Sequence, residues 1–423
     1  MNPGRVRLRI SGFRRRRPSR ARVAALAVVL VLFGFDVIQY FIFVIKTPWQ
    51  LDFSDFYFAA RTGLAHGWAQ MYNTSLSMPA LYAATGNWFP FQHSPVLAWL
   101  LVPLSLLPYA VALTIWDGFL FACYLFCWRI LAPGSTGRRL LLLVAGLALY
   151  PVALGLALGQ PTMLVLAGVS LCCWLLARNR PLLAAAALAV IAVKPQSSFL
   201  VPFALLFAGR IRLFAGWALF SLALAVLAVL ALGVHGLQDW QHAIAIAYQL
   251  PGIRFNSVGS VVGPGPLAVA VSLVAAGIAL LIGRLAAREG DELPIAAGLS
   301  GSVLASPYLS APDLAALLIA AWLVLRLDPP RWLQALMVAA YLPFFFANAL
   351  FMHGPFLLLE CAWLLALLAF AITRGQERGL AAARQTQTGR LDQRVGRRAA
   401  CIGAFRKGRL APDSRRERRR GRS

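Results

Sequence analysis

Long apolar runs alternate with short polar intervals from residue 23 to residue 373 of this chain. A run of about 20 apolar residues is long enough to cross a hydrocarbon core of about 30 Å as an α-helix. The pattern therefore predicts an all-α polytopic membrane protein. The candidate runs are 23–46, 94–107, 109–131, 139–157, 162–177, 182–193, 196–209, 213–233, 266–283, 293–305, 313–326, 332–350 and 355–373.

Basic residues are concentrated at the two ends of the chain and in the short intervals between apolar runs. The net charge is +25, yet only 13% of residues are charged and 60% are hydrophobic, which excludes an ordinary soluble protein. Cytoplasmic segments of membrane proteins retain Lys and Arg. We therefore interpret residues 1–22 and 374–423 as cytoplasmic tails that face anionic lipid head groups rather than nucleic acid. The second tail is polar and is predicted to be disordered.

The number of crossings follows from the placement of charge. Two cytoplasmic tails require an even number, and the arginine-bearing connections all fall inside only if the region 94–131 crosses once. Pro95, Pro103 and Pro108 interrupt that region, so part of it is predicted to be re-entrant or interfacial. We expect about twelve crossings within a membrane domain of residues 23–373.

This topology places six connections outside the membrane: 47–93, 159–161, 194–196, 234–264, 306–313 and 353–354. They are poor in basic residues and rich in Gly, Pro, Gln, Asn and aromatics. Irregular backbone that lines a wet cavity has this composition, which favours an active-site face. The alternative is that Gly and Pro simply turn the chain.

The first outer loop, 47–93, is the longest polar interval between apolar runs and is predicted to be functional. Apolar residues at helical spacing after Phe56 predict an amphipathic helix on the bilayer surface. Elimination points to the same loop, because most of the fifteen acidic residues lie on the cytoplasmic side or within spans. Four remain outside: Asp52, Asp55, Asp239 and Asp313. Of these, Asp239 resembles an ordinary loop residue.

Motifs of soluble enzymes are missing from the chain. There is no Gly-rich phosphate loop, no HExxH and no nucleophile elbow, and the histidines and cysteines have no metal-site spacing. We expect no cofactor and no metal. The remaining polar groups suit acid–base chemistry on a lipid phosphate, with a carboxylate as base and cations at the leaving group. The candidates are Asp52 or Asp55 as base, Lys194 and Arg254 as cations, and His93 and His353 as neutral or cationic helpers.

Lys194 has a simpler interpretation as well. A lysine near a helix end commonly extends its ammonium group to the lipid head groups. The functional alternative is a phosphate contact beside Pro195, Gln196 and Ser197.

Several corners of the chain occur in an order that matches a known family. They are a DFxxFYxAA-like loop, an FxxxPxxxWLLxPLxLLP segment, a GQPT turn, a KPQ corner, an FNS loop and an SPYxxxxDL corner. Over residues 25–370 the chain resembles the bacterial polyprenyl-phosphate-mannose-dependent mannosyltransferases, long listed as a domain of unknown function, which have the GT-C glycosyltransferase fold.

The resemblance implies inverting, metal-independent transfer from a polyprenyl-phosphate sugar on the outer face of the cytoplasmic membrane, to a lipid or glycan acceptor. A carboxylate of the first outer loop would be the base, and the family register favours Asp52, leaving Asp55 as a local variation or helper. The other corners supply candidate substrate-binding residues: His93, Gln160, Lys194, Gln196, Arg254, Asn256, Tyr308, Asp313 and His353.

Two positions depart from the family pattern. His93 stands where the family has Tyr in an FxYPP-type element, and Pro312 stands where it has Tyr before Asp313. We expect both departures to alter the choice of acceptor. The spacing of Asp52 and Asp55 also permits a bound cation. The competing hypothesis is a transporter or flippase of a lipid-linked saccharide, which predicts internal repeats around a midplane site.

Overall fold

The computed structural model describes residues 20–46, 51–86, 89–249, 257–345 and 356–378, and all regular structure in these ranges is helical. The chain divides into two compact units, residues 1–368 and 369–423. Of the second unit, the described residues are the end of the last helix, where Arg374 lies over the ring of Phe370. The predicted tails 1–22 and 374–423 lie almost entirely outside the described residues.

Seventeen α-helices are described, and four short 3-10 helices lie between them: Trp68–Gln70, Ala189–Val193, Pro195–Ser197 and Ala311–Leu314. The α-helices are α1 (Arg20–Lys46), α2 (Leu51–His66), α3 (Thr74–Thr85), α4 (Pro95–Ser105), α5 (Tyr109–Leu131), α6 (Thr136–Leu147), α7 (Tyr150–Ala157), α8 (Thr162–Leu176), α9 (Pro181–Leu188), α10 (Val201–Phe207), α11 (Ile211–Gln249), α12 (Val258–Val262), α13 (Pro266–Leu285), α14 (Glu292–Ala305), α15 (Ala315–Leu325), α16 (Arg331–Phe345) and α17 (Phe356–Arg378).

Four of the described helices, α5, α11, α13 and α17, are long and apolar enough to cross a membrane. The pair α6 and α7 would make a fifth span, bent by 63°. The other apolar stretches, among them Leu26–Gln39 within α1, have 10–17 residues. The figure of about twelve crossings stays a prediction, because several of its spans correspond to these shorter stretches. Within 94–131, α4 has 11 residues and α5 has 23, so only α5 has the length of a span.

Small residues let the central helices approach closely. Almost every residue of α14 is buried. A Cβ at Gly298 would lie 2.6 Å from the Cα of Val201, and a Cβ at Gly283 would lie 2.5 Å from the carbonyl oxygen of Ala204. Short helix α10 is therefore packed backbone to backbone between α13 and α14. In contrast, Leu219 and Leu230 of α11 are largely exposed, as expected of a face that meets lipid tails.

The predicted outer loop 234–264 is in part a helix. The chain kinks at Gly233, whose φ of 61° is in the region that favours glycine, and then continues as helix to Gln249. The prediction of a loop was wrong here because Gly233 was interpreted as an end rather than a kink. A Cβ at Gly236 would lie 2.8 Å from the carbonyl oxygen of Ala69, so this second half packs on the first outer loop.

The predicted helix of the first outer loop is present as α2, but its surroundings differ from the prediction. Phe53, Phe56 and Ala60 are completely buried. They are covered by protein, since α2 packs against α3 and α4 and Phe53 lies against Trp116 of α5. The amphipathic pattern identified a helix with a buried face but could not tell a bilayer from a neighbouring helix.

We predict that Gly298→Ala lowers the free energy of unfolding by about 1–3 kcal/mol, because the added methyl group would push on the backbone of α10. Gly277→Ala in α13 is the matched control, since nothing lies within 4 Å of its added Cβ. Thermal unfolding of the two purified variants in detergent would test this. Equal melting temperatures would contradict the described packing of α10 on α14.

Candidate active site

Backbone and aromatic contacts fix the start of the first outer loop against the turn between α7 and α8. The backbone N–H of Phe53 donates to the carbonyl oxygen of Leu158 at 3.2 Å. The indole N–H of Trp116 donates to the carbonyl oxygen of Gly159 at 2.7 Å. Gly159 has a φ of 69°, which allows the chain to turn sharply before Gln160. These contacts place Asp52 beside Gln160.

A second set of aromatic contacts fixes the end of the same loop. Tyr72 stacks on Phe91 and on Trp240, and its hydroxyl donates to the carbonyl oxygen of His93 at 2.5 Å. The indole N–H of Trp240 donates to the carbonyl oxygen of Gln92 at 2.9 Å. The extension of α11 beyond its kink therefore supports the segment that carries Gln92 and His93.

The centre of the site is a buried ion pair. Lys194 Nζ lies 2.8 Å from Asp313 Oδ1, and neither side chain is exposed. Lys194 also donates to Gln160 Oε1 at 2.6 Å and to Thr162 Oγ1 at 3.2 Å, with Ser310 Oγ at 3.4 Å. An ammonium group has three N–H donors. All of them are engaged by protein acceptors in this conformation.

Asp313 is held equally firmly from the other side. Ser310 donates to Asp313 Oδ2 through its backbone N–H at 3.0 Å and through its hydroxyl at 2.8 Å, forming a capping box. Thr162 Oγ1 donates to Asp313 Oδ1 at 3.3 Å. Each oxygen of the buried carboxylate therefore has partners, as a buried charge requires.

Gln160 connects the ion pair to Asp52. Its amide oxygen accepts from Lys194, and its amide nitrogen donates to Asp52 Oδ2. Because Lys194 can only donate, the amide has one favourable orientation, with its NH₂ group toward Asp52. The order Asp313, Lys194, Gln160, Asp52 is thus a continuous chain of hydrogen bonds.

The two carboxylates of the first outer loop have different surroundings. Asp55 is 4% exposed, and within the described ranges no hydrogen bond or ion pair reaches it. Burial, and then repulsion by Asp52, raise the pKa of Asp55 well above its usual value. Asp52 is partly exposed. Burial raises the pKa of Asp52 too, but the hydrogen bond from Gln160 and the charge of Lys194 oppose this rise.

His93 is buried edge-on against the ring of Phe56, with 4.9 Å between ring centroids. Burial, and then the positive charge of Lys194, lower the pKa of His93 to about 3. The imidazole is therefore neutral at physiological pH. Of the two forms that the sequence left open for this helper, the structure favours the neutral one.

The structure brings some of the predicted site residues together and leaves others apart. Asp52, Gln160, Lys194 and Asp313 are joined by hydrogen bonds, with His93 and Asp55 beside them. Tyr308 is partly exposed and accepts a hydrogen bond from Gln92 at 3.1 Å. The Oε1 of Gln196 has no hydrogen-bond partner in the described part of the chain, and no bond joins this side chain to the cluster. Arg254, Asn256 and His353 lie outside the described residues.

Sequence reasoning missed three polar residues of the site. Thr162 and Ser310 surround Lys194, and Gln92 orients Tyr308. The Ser310-Ala-Pro-Asp313 spacing is a capping-box signature and could have identified Ser310. Nothing in the pattern around Gln92 could have done the same. No three His, Cys, Asp or Glu side chains in the described ranges are close enough to hold a metal ion.

Comparison with known families decides the class of the protein. Residues 91–310 match glycosyltransferase family 87, and this range is more than half of the 423-residue chain. The chain belongs to glycosyltransferase family 87. No curated protein matches it, and no solved structure does.

Membership of family 87 makes this protein a membrane glycosyltransferase, which acts on a sugar donor and an acceptor. The predicted class of enzyme and the predicted membrane helices are thereby confirmed. The matched range contains Gln160, Lys194 and Tyr308, but Asp52 and Asp313 fall outside it. The roles of individual residues in this family 87 protein stay predictions.

A double-mutant cycle would test the buried pair of the family 87 protein. Lys194→Met and Asp313→Asn should each cost about 3–5 kcal/mol of stability, because each leaves one buried charge without its partner. The combined variant removes both charges and should be more stable than the sum of the single losses predicts. Chemical denaturation in detergent measures all three. Additive losses would show that the two charges do not interact.

Proposed function

We propose that this family 87 protein is an inverting hexosyltransferase that uses a polyprenyl-phosphate sugar, mannose first among the candidates. The acceptor is a lipid or glycan on the outer side of the cytoplasmic membrane. The architecture is of the GT-C type, with about twelve crossings. The resemblance of the chain's corners supports the donor and the fold, and membership of a glycosyltransferase family supports transfer over the alternative of transport or flipping.

The observation that carries the proposal is the partly exposed Asp52 at the end of a buried hydrogen-bonded chain. A general base must be ionised, oriented and able to reach its substrate. Gln160 orients one oxygen of the partly exposed Asp52, and the hydrogen bond from Gln160 and the charge of Lys194 oppose the rise in pKa that burial causes. Asp55 is buried and has no hydrogen bond or ion pair among the described residues, and nothing opposes the rise of its pKa well above the usual value.

The proposed reaction is a single displacement. Asp52 accepts the proton of an acceptor hydroxyl as that oxygen bonds to the anomeric carbon. The bond from the anomeric carbon to the phosphate oxygen breaks, and its electron pair leaves with polyprenyl phosphate. The acceptor attacks from the face opposite the leaving group, so the anomeric configuration inverts.

The leaving phosphate needs positive charge or donors near it. The predicted phosphate contacts are Lys194 and Arg254. In the described conformation Lys194 is unexposed and occupied by Asp313, Gln160 and Thr162, so a direct contact would require it to release one of these partners. Its role as a phosphate contact stays a prediction, and the geometry supports a role in orienting Gln160.

A lipid substrate is also supported by an apolar cavity between the helices. Its volume is about 560 Å³, and it lies between α1, α6, α7, α15, α16 and α17. The lining includes Pro151, Val152, Leu314 and Trp363. Leu314, one of its lining residues, directly follows Asp313 in the sequence. An isoprenoid chain is apolar, so it could occupy this apolar cavity without breaking any hydrogen bond.

We predict that Asp52→Asn lowers turnover by a factor of about 10²–10⁴ and leaves donor binding largely intact, because the amide cannot accept the hydroxyl proton. Asp55→Asn is the matched control, and its effect should be much smaller. Transfer from radiolabelled polyprenyl-phosphate mannose into lipid, measured on membranes that contain each variant, would test both. The same assay with other polyprenyl-phosphate sugars would identify the donor.

Full activity of Asp52→Asn with loss of activity in Asp55→Asn would reverse the assignment of the base. Activity in both variants would remove the first outer loop from the chemistry altogether.

A second prediction concerns pH. Gln160→Leu removes the hydrogen bond that lowers the pKa of Asp52, so this pKa should rise further. The base works only when ionised, and activity is lost as pH falls through its pKa. The acidic limb of the pH profile of kcat/KM should therefore move to higher pH. Gln92→Leu, which removes a donor to Tyr308 instead, should leave that limb in place. An unmoved limb in Gln160→Leu would contradict the role of Gln160.

A further inference from the structure

An open groove lies at the other end of the apolar segment that leads to Lys194. It is lined by Arg180, Pro181, Leu182 and Leu183 at the start of α9, and by Arg212, Ala215, Gly216 and Leu219 in the first turns of α11. Its volume is about 780 Å³. The segment from Pro181 to Val193 separates it from Lys194 by roughly 20 Å of helix. The groove is therefore distinct from the candidate active site.

The groove exists because two helices approach closely at their beginnings. A Cβ added at Gly216 would lie 3.0 Å from the Cβ of Ala185. The larger side chains on either side stand apart and stay uncovered: Leu182, Leu183 and Leu219 are 64%, 53% and 67% exposed. An apolar wall of this kind is compatible with the acyl chains of lipid.

The arginines at the mouth of the groove differ from their neighbours in the same two connections. Arg178 stacks on Trp174 at 3.5 Å, and Arg210 donates to Asp291 at 2.6 Å. Arg180 and Arg212 are exposed, and within the described residues neither side chain has a hydrogen bond or an ion pair. Of these four arginines, the two that line the groove are therefore the ones whose N–H groups are available to a ligand.

We propose that this groove binds an anionic phospholipid of the surrounding membrane. The phosphate would lie between Arg180 and Arg212, since a guanidinium group matches phosphate oxygens with paired donors. The acyl chains would lie along Leu182, Leu183 and Leu219. Both arginines are in connections that the charge pattern places on the cytoplasmic side, where basic pockets between helices recognise anionic head groups. A zwitterionic lipid carries a cation next to its phosphate and would fit less well.

The test uses the purified full-length protein in detergent and compares phosphatidylglycerol with phosphatidylcholine. Native mass spectrometry should show that the protein retains phosphatidylglycerol with about thirtyfold preference, as two arginines near a head group would supply. Arg180→Ala/Arg212→Ala should lose this preference. Arg284→Ala/Arg331→Ala is the matched control, because both residues are exposed, carry the same charge and do not line the groove.

Three results would overturn the proposal. The first is an unchanged preference in Arg180→Ala/Arg212→Ala, and the second is an equal loss in the control variant, which would reflect net charge alone. The third is that inorganic phosphate raises the melting temperature of the protein as much as phosphatidylglycerol does, which would make the groove a simple anion site. If the double variant does not fold, the single variants Arg180→Gln and Arg212→Gln should each lose part of the preference. The measurement needs no sugar donor, so it is independent of the proposed reaction.

Discussion

The site depends on one buried ion pair, Lys194 with Asp313. Two charges in an apolar interior are costly unless every donor and acceptor has a partner. Here Thr162 and Ser310 complete the partners, and Gln160 takes the remaining donor. The pair consequently fixes three chain segments at one point, and it determines which end of the Gln160 amide faces Asp52. The stability of the fold and the orientation of the proposed base therefore depend on the same ion pair.

The first outer loop is part of this arrangement rather than an appendage on the membrane surface. Phe53 and Trp116 anchor its beginning to the turn that carries Gln160. Tyr72 and Trp240 anchor its end to the kinked extension of α11. On the helix that these rings hold in place, Asp52 is partly exposed and Asp55 is buried. A carboxylate three residues away on the same helix thus becomes a different kind of group.

Charged groups form two separate clusters in the described part of the protein. At one end buried polar groups pair with one another and leave partly exposed the carboxylate of Asp52, the proposed base. At the other end exposed arginines remain, and two of them, Arg180 and Arg212, line a groove suited to an anionic head group. The apolar segment Pro181–Val193 connects the ends. Lipid bound in the groove would contact the start of this segment, and Lys194 directly follows its end.

The order of apolar and polar residues determined the helical membrane class, because spans must satisfy their own backbone. Elimination among the few acidic residues left Asp52, Asp55, Asp239 and Asp313, Lys194 was a candidate from its context, and the family resemblance added Gln160 and favoured Asp52. Only the tertiary structure decided that Asp52, Gln160, Lys194 and Asp313 form one chain of hydrogen bonds, because they are far apart in sequence. Only the tertiary structure showed that Gly233 is a kink rather than the end of a helix. It also showed that the apolar face of α2 is covered by protein rather than by the bilayer. Both depend on which surfaces meet, and a local pattern of apolar residues does not specify its partner.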